Sequence, residues 1–163
     1  MRKVFALLMI LFCLSGYAGV TKDEAIFILK NHKERGFYFE GEVSRDTLKV
    51  VVDLQVGSEK VFINFADGKM TKVVSFYSTV LVLDKRPSHE FMEHLLRANN
   101  FNESLGFFYL YYDISLDKWF VDYCVRIREE DLTKFSLISL IRAVSLYTAS
   151  SRKELVKRFS PNY

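Results

Sequence analysis

Two prolines and seven glycines are all that interrupt 163 residues, which excludes collagen-like repeats and long flexible linkers. Two cysteines exclude a disulfide framework. A domain of this length buries roughly 70% of the surface its unfolded chain exposes, so it needs neither disulfides nor a structural metal. Three histidines and no phosphate-cradling glycine loop leave a thin inventory for catalysis. What is present is apolar: half the residues are hydrophobic, 15% are aromatic and 26% are charged. This composition describes one folded domain rich in ring surface.

The first segment reads as an address. Arg2 and Lys3 are followed by an unbroken apolar run from Val4 to Leu14, and Gly16-Tyr17-Ala18 has the small-x-small form of a cleavage site. The run is too short for a membrane span of about 20 residues. A signal peptide over residues 1–18, cleaved after Ala18, is therefore expected, and with it export to the periplasm; an uncleaved N-terminal anchor is the alternative. Phe12 before Cys13 does not suit a lipoprotein site. Loss of Arg2 and Lys3 lowers the formal charge from +3 to +1, which removes the basic excess a nucleic-acid partner would need. It also leaves Cys124 alone in an apolar stretch, where a small buried side chain on a strand is expected.

Thr21-Lys22-Asp23-Glu24 has the form of a capping box, and the spacing of Ala25, Ile26 and Leu29 predicts a helix from Thr21 to Arg35, with Gly36 as its left-handed cap. From Phe37 the period becomes two, and β-branched and aromatic residues dominate. Strands are expected at Leu48 to Val56, closed by Gly57-Ser58, at Lys60 to Phe65, and at Met70 to Val82, with a hairpin at Asp67-Gly68. Ser88 is the expected N-cap of a second helix carrying Phe91, Met92, Leu95 and Leu96 and ending at Asn99-Asn100. Strands at Leu105 to Tyr112 and Lys118 to Ile127 form a second hairpin. A final helix starts near Leu132 or Thr133 behind Glu129-Glu130-Asp131, with continuation or a bend at Thr148 to Ser151. No internal repeat is visible, so residues 19–163 are read as a single domain.

The fold class that follows is a two-layer α+β domain. An antiparallel sheet is joined by an N-terminal helix, a middle helix and a long C-terminal helix, in the order α-β-β-β(-β)-α-β-β-α. Particular residues add to this. Phe91 to Asn100, the strand pair Gly106 to Asp113 and Lys118 to Tyr123 around an acidic turn, Asp131 to Phe135, and the Gly36-Phe37 step resemble the YbjN-like domain family, related in fold to the class I chaperones of type III secretion. The resemblance covers nearly the whole chain after residue 18. It implies a non-enzymatic domain, often dimeric, that binds another polypeptide through a helix groove or an exposed sheet surface.

Motifs for chemistry are few. His89-Glu90-Phe91-Met92-Glu93-His94 sets two His/Glu pairs four apart, but Glu stands where either zinc-protease pattern needs His, so solvated i,i+4 pairs are expected and no metal. No Gly-x-Ser-x-Gly elbow is present. Asp113, Asp117 and Asp122 are read as a turn and the solvated face of a strand. No catalytic residue, cofactor or metal site is assigned.

Charge and rings say more about partners. Residues 87–131 carry a balance of −5 and the segment beyond Leu132 one of +5, which suits pairing within a molecule or across a dimer. Phe107, Tyr109, Tyr111, Trp119 and Tyr123 belong to a hairpin with rings on both faces, while a two-layer domain covers only one. These five are the candidate interface with a protein partner or a second copy. Arg152, Lys153, Lys157, Arg158 and Phe159 form an amphipathic end that would alternatively contact an anionic membrane.

Overall fold

The computed structural model describes residues 19–67, 71–100 and 105–159. Helix α1 (Lys22–Asn31) leads into four strands, β1 (Phe37–Ser44), β2 (Thr47–Leu54), β3 (Gly57–Asp67) and β4 (Lys72–Leu83). Helix α2 (His89–Asn99), strands β5 (Phe107–Asp113) and β6 (Lys118–Arg128), a single 3-10 turn and helix α3 (Lys134–Phe159) complete the order. The fold class expected from the sequence is the one observed: one antiparallel six-stranded sheet, ordered β1-β2-β3-β4-β6-β5, with three helices. The signal peptide and the Gly68 side of the expected Asp67-Gly68 turn lie outside the described residues.

The capping box forms as read, with the Thr21 hydroxyl accepting from Glu24 N–H and the Glu24 carboxylate accepting from Thr21 N–H at 2.9 Å. The helix it starts is shorter than expected and ends at Asn31, because no apolar residue follows Leu29 before Phe37 and the packing that holds a short helix stops there. Gly36 does adopt a positive φ of 78°, but in the turn before β1 and not as a helix cap. The turn between β2 and β3 sits at Gln55-Val56, two residues earlier than Gly57-Ser58, since Leu54 pairs with Gly57. Ser88 caps α2 as expected, accepting from Phe91 N–H at 3.2 Å. Helix α3 runs unbroken through Thr148 to Ser151; Ser145, Thr148 and Ser151 are buried, small residues that let the helix lie close on the sheet.

All three helices cover one face. Leu48, Val50, Val61, Ile63, Val74, Phe76, Val121, Tyr123 and Val125 project from the strands into a single core with Leu29 of α1, Phe91 of α2 and Leu137, Ile141 and Val144 of α3. Asn99 and Arg152 are among the side chains that fasten this layer to the sheet. Asn99, from the Asn-Asn end of α2, brackets the edge strand β5: its Oδ1 accepts from Phe108 N–H at 2.6 Å and its Nδ2 donates to Phe108 carbonyl at 3.0 Å. Arg152 of α3 forms a bidentate pair with the Glu59 carboxylate and donates to the carbonyls of Val80 and Thr79, both at 2.8 Å. Those carbonyls sit at a bulge between Thr79 and Leu81, where the ladder to β6 slips by one residue.

Gly106 sets the approach of β5 to β6. A Cβ there would meet the Cys124 carbonyl oxygen at 2.2 Å, so an alanine would push the edge strand away from its neighbour.

Candidate functional site

The helix-free face of the sheet carries the site. Alternation places Phe107, Tyr109 and Tyr111 of β5 on this face beside Phe120, Asp122, Cys124 and Arg126 of β6, and the ladders continue it through Tyr77 and Ser75 of β4 to Phe62 and Asn64 of β3. Asn64, Ser75, Tyr77, Phe107, Tyr109, Tyr111, Asp122, Cys124 and Arg126 line an open cavity of about 310 Å³. No helix residue lines it.

The rings form two stacks, one on each side of the cavity. Tyr109 stacks on Tyr111 at 5.4 Å between centroids, Tyr111 on Phe120 at 5.3 Å, and Phe62 on Tyr77 at 5.4 Å. The Arg126 guanidinium lies over the Phe107 ring at 5.1 Å. Tyr109 remains 52% exposed.

Within this aromatic surface sits one carboxylate. Asp122 is 5% exposed, and its Oδ1 has no hydrogen-bond partner. Burial raises its pKa, against the pull of the Thr79 and Tyr111 hydroxyls that face it. Tyr111 is pushed up to about 12, first by burial and then by the Asp122 charge, so its phenol stays protonated. The expectation that Asp122 lies on a solvated strand face is thus corrected: neighbouring rings on β4 and β5 exclude the water. A carboxylate within the apolar stretch Trp119 to Val125 was the signal for it.

The raised pKa has a measurable consequence. A folded-state value above the unfolded one means that stability is fully present below the unfolded pKa and is lost as pH rises through the folded value. Asp122→Asn is therefore expected to stabilise the dilute protein by about 1 kcal/mol at pH 7 and to leave it unchanged near pH 3. Urea unfolding at the two pH values checks this; an equal gain at both would show that ionisation of Asp122 is not the cause.

The five candidate interface residues do not stay together. Phe107, Tyr109 and Tyr111 share the open face. Tyr123 is on the other face, 2% exposed and stacked on Tyr147 of α3 at 4.2 Å, and Trp119 packs beside Tyr112 at the margin of the same core. Adjacent strand residues point to opposite faces, and only the covering helices decide which face is buried.

The basic end of the chain also divides. Phe159 is 6% exposed and packs edge-on against Phe91 at 5.1 Å, and Arg152 is held by Glu59, leaving Lys153, Lys157 and Arg158 at the surface. Arg142 likewise pairs with Glu34, so α3 spends two of its cations on the first half of the chain and not on the acidic segment 87–131. No helix among the described residues is long and apolar enough to cross a membrane.

Other polar groups singled out in the sequence have structural partners. Asp113 accepts from Ser115 N–H at 2.8 Å and Leu116 N–H at 3.1 Å, and these bonds, with that of the Ser115 hydroxyl, hold its pKa low. Asp117 closes the same turn with a φ of 53°. Glu93 pairs with Arg97 and His94 approaches Glu154 at 3.9 Å, in place of the His/Glu pairs expected within α2. Cys124 is buried on its strand, and burial raises its thiol pKa, which disfavours the reactive thiolate. Among the described residues, no three of His, Cys, Asp and Glu come together as a metal site.

Comparisons with protein-family models, with curated proteins and with solved structures find no match to this chain.

Proposed function

We propose that this protein is a non-enzymatic protein-binding or chaperone-like module of the bacterial cell envelope that acts through the open aromatic face of its sheet, as a homodimer. The observation that carries the reading is the pair of ring stacks, Phe62–Tyr77 and Tyr109–Tyr111–Phe120, which meet at one open cavity on the side of the sheet that no helix covers. Large exposed apolar patches concentrate at interfaces, and aromatic residues are enriched there. The resemblance of the sequence to YbjN-like domains agrees with it, as does the signal peptide expected over residues 1–18.

Light scattering on the protein expressed from the full-length sequence tests the reading. A dimer is expected whose stability is little changed by salt, because the contact is largely apolar. Tyr109→Lys, which leaves the core untouched, is expected to weaken that dimer at least about tenfold by placing a charge in the middle of the face. Protein that stays monomeric at all concentrations, or a dimer indifferent to Tyr109→Lys, would remove the open face as the pairing surface.

A further inference from the structure

The open face holds a carboxylate with no cation paired to it and one oxygen unbonded and, in the same cross-strand row, an unpaired cation. Lys60 on β3 is exposed and makes no hydrogen bond or ion pair with a described residue. Its row can be followed across the sheet. Lys60 faces Val51 of β2; the β3–β4 ladder ends where Phe62 faces Tyr77, and its register extended by two residues sets Lys60 level with Thr79; Thr79 faces Asp122, and Asp122 faces Tyr109. Lys60 and Asp122 are thus two strands apart on one face, separated by β4, at roughly 10 Å given the usual strand spacing. The nearby Lys49 is not an equivalent, because it is paired with Glu40 at 2.5 Å.

This placement has a symmetry. A two-fold axis lying between two such sheets and running along β4 leaves the level along the strands unchanged and brings β3 of one copy over β6 of the other. It sets Lys60 over Asp122 twice, Val51 over Tyr109 twice, and Tyr77 over its own counterpart. Such a contact is isologous, the common form for homodimers. Sheets packed in alignment lie about 10 Å apart, a gap that a lysine side chain from one copy crosses to reach the floor of the other. The cavity provides the space, the tyrosine faces suit an ammonium, and Oδ1 of Asp122 lacks the donor it would bring.

We propose that the occupant of the aromatic cavity is the Lys60 side chain of a second copy of this chain, its ammonium bonded to Asp122, so that each copy both fills and is filled. This inference rests on the homodimer reading above and names the residue that the partner contributes to the site. Breaking such a pair from one side leaves a buried charge unpaired on the other, twice per dimer.

The test is light scattering and native mass spectrometry on the full chain, its Lys60→Met and Asp122→Asn variants, and an equimolar mixture of the two. Each variant alone is expected to dimerise about 100-fold more weakly than the wild type. The mixture is expected to recover heterodimers, because that pairing keeps one complete Lys60–Asp122 contact and sets two neutral side chains against each other at the second site. Variants that dimerise like the wild type would overturn the inference and leave the homodimer reading standing. Weakened variants that mixing does not rescue would overturn it too, since the effect would then lie within each chain. A monomeric wild type would end both. Saturable binding of n-butylammonium chloride to such a monomer, lost in Asp122→Asn, would replace the second copy by a free amine.

Discussion

Arg152→Met is expected to cost about 3 kcal/mol of folding stability, one of the largest losses available to a single surface-reaching side chain in this protein. The Glu59 carboxylate is 6% exposed, so removing its bidentate partner leaves a charge the solvent cannot reach, while the freed carbonyls of Thr79 and Val80 lose their donor. The Arg152 side chain is 39% exposed, which moderates the loss. For a domain of this size the change corresponds to roughly 6 to 12 °C in melting temperature. The double variant Arg152→Met, Glu59→Leu should recover part of the loss, because no charge is stranded, but not all of it, because the bulge carbonyls stay unpaired. Thermal melts of the two variants decide the matter. An Arg152→Met protein within about 0.5 kcal/mol of the wild type would mean the clamp is no more than a surface ion pair.

Tyr123→Ala and Tyr109→Ala should behave as opposites although both tyrosines belong to the same hairpin. Tyr123 is buried between Phe108 and Tyr147, at 5.5 and 4.2 Å, and its phenol is pushed up to about 12 by that burial. Truncating it should cost about 3 to 5 kcal/mol through lost contacts and the cavity left behind. Tyr109→Ala removes a ring that is half in solvent and should change stability by no more than about 0.5 kcal/mol, while weakening the dimer. Chemical denaturation of both, followed by light scattering on the Tyr109 variant, separates the two roles. Equal stability losses would contradict the assignment of the two tyrosines to opposite faces.

Much of this fold was legible because local chemistry and tertiary structure agree. The Thr21–Glu24 box, the Ser88 cap, the change of period at Phe37 and the acidic approach to the last helix each act within a few residues, and each marks an element that forms. Misjudged boundaries lie where no local signal opposes a longer element: α1 ends at Asn31 because packing ends there, not because a breaker follows. Asn99 was visible as the end of a helix but not as the bracket on β5, which joins residues nine apart through a side-chain amide. Glu59 and Arg152 lie 93 positions apart, and nothing in either neighbourhood marks them as partners.

The sequence by itself determined the class of fold, the order of its elements, and a ring density greater than one sheet face can bury. These depend on periodicity, capping and turn chemistry, which act over a few residues. Only the tertiary structure decided which rings are core and which are surface, since Tyr109 and Tyr123 sit in equivalent aromatic stretches and differ in the layer that lies over them. It also decided that Asp122 is a buried carboxylate and that Lys60 shares its row. Strand order and register set both, and they arise from pairings between residues far apart in the chain.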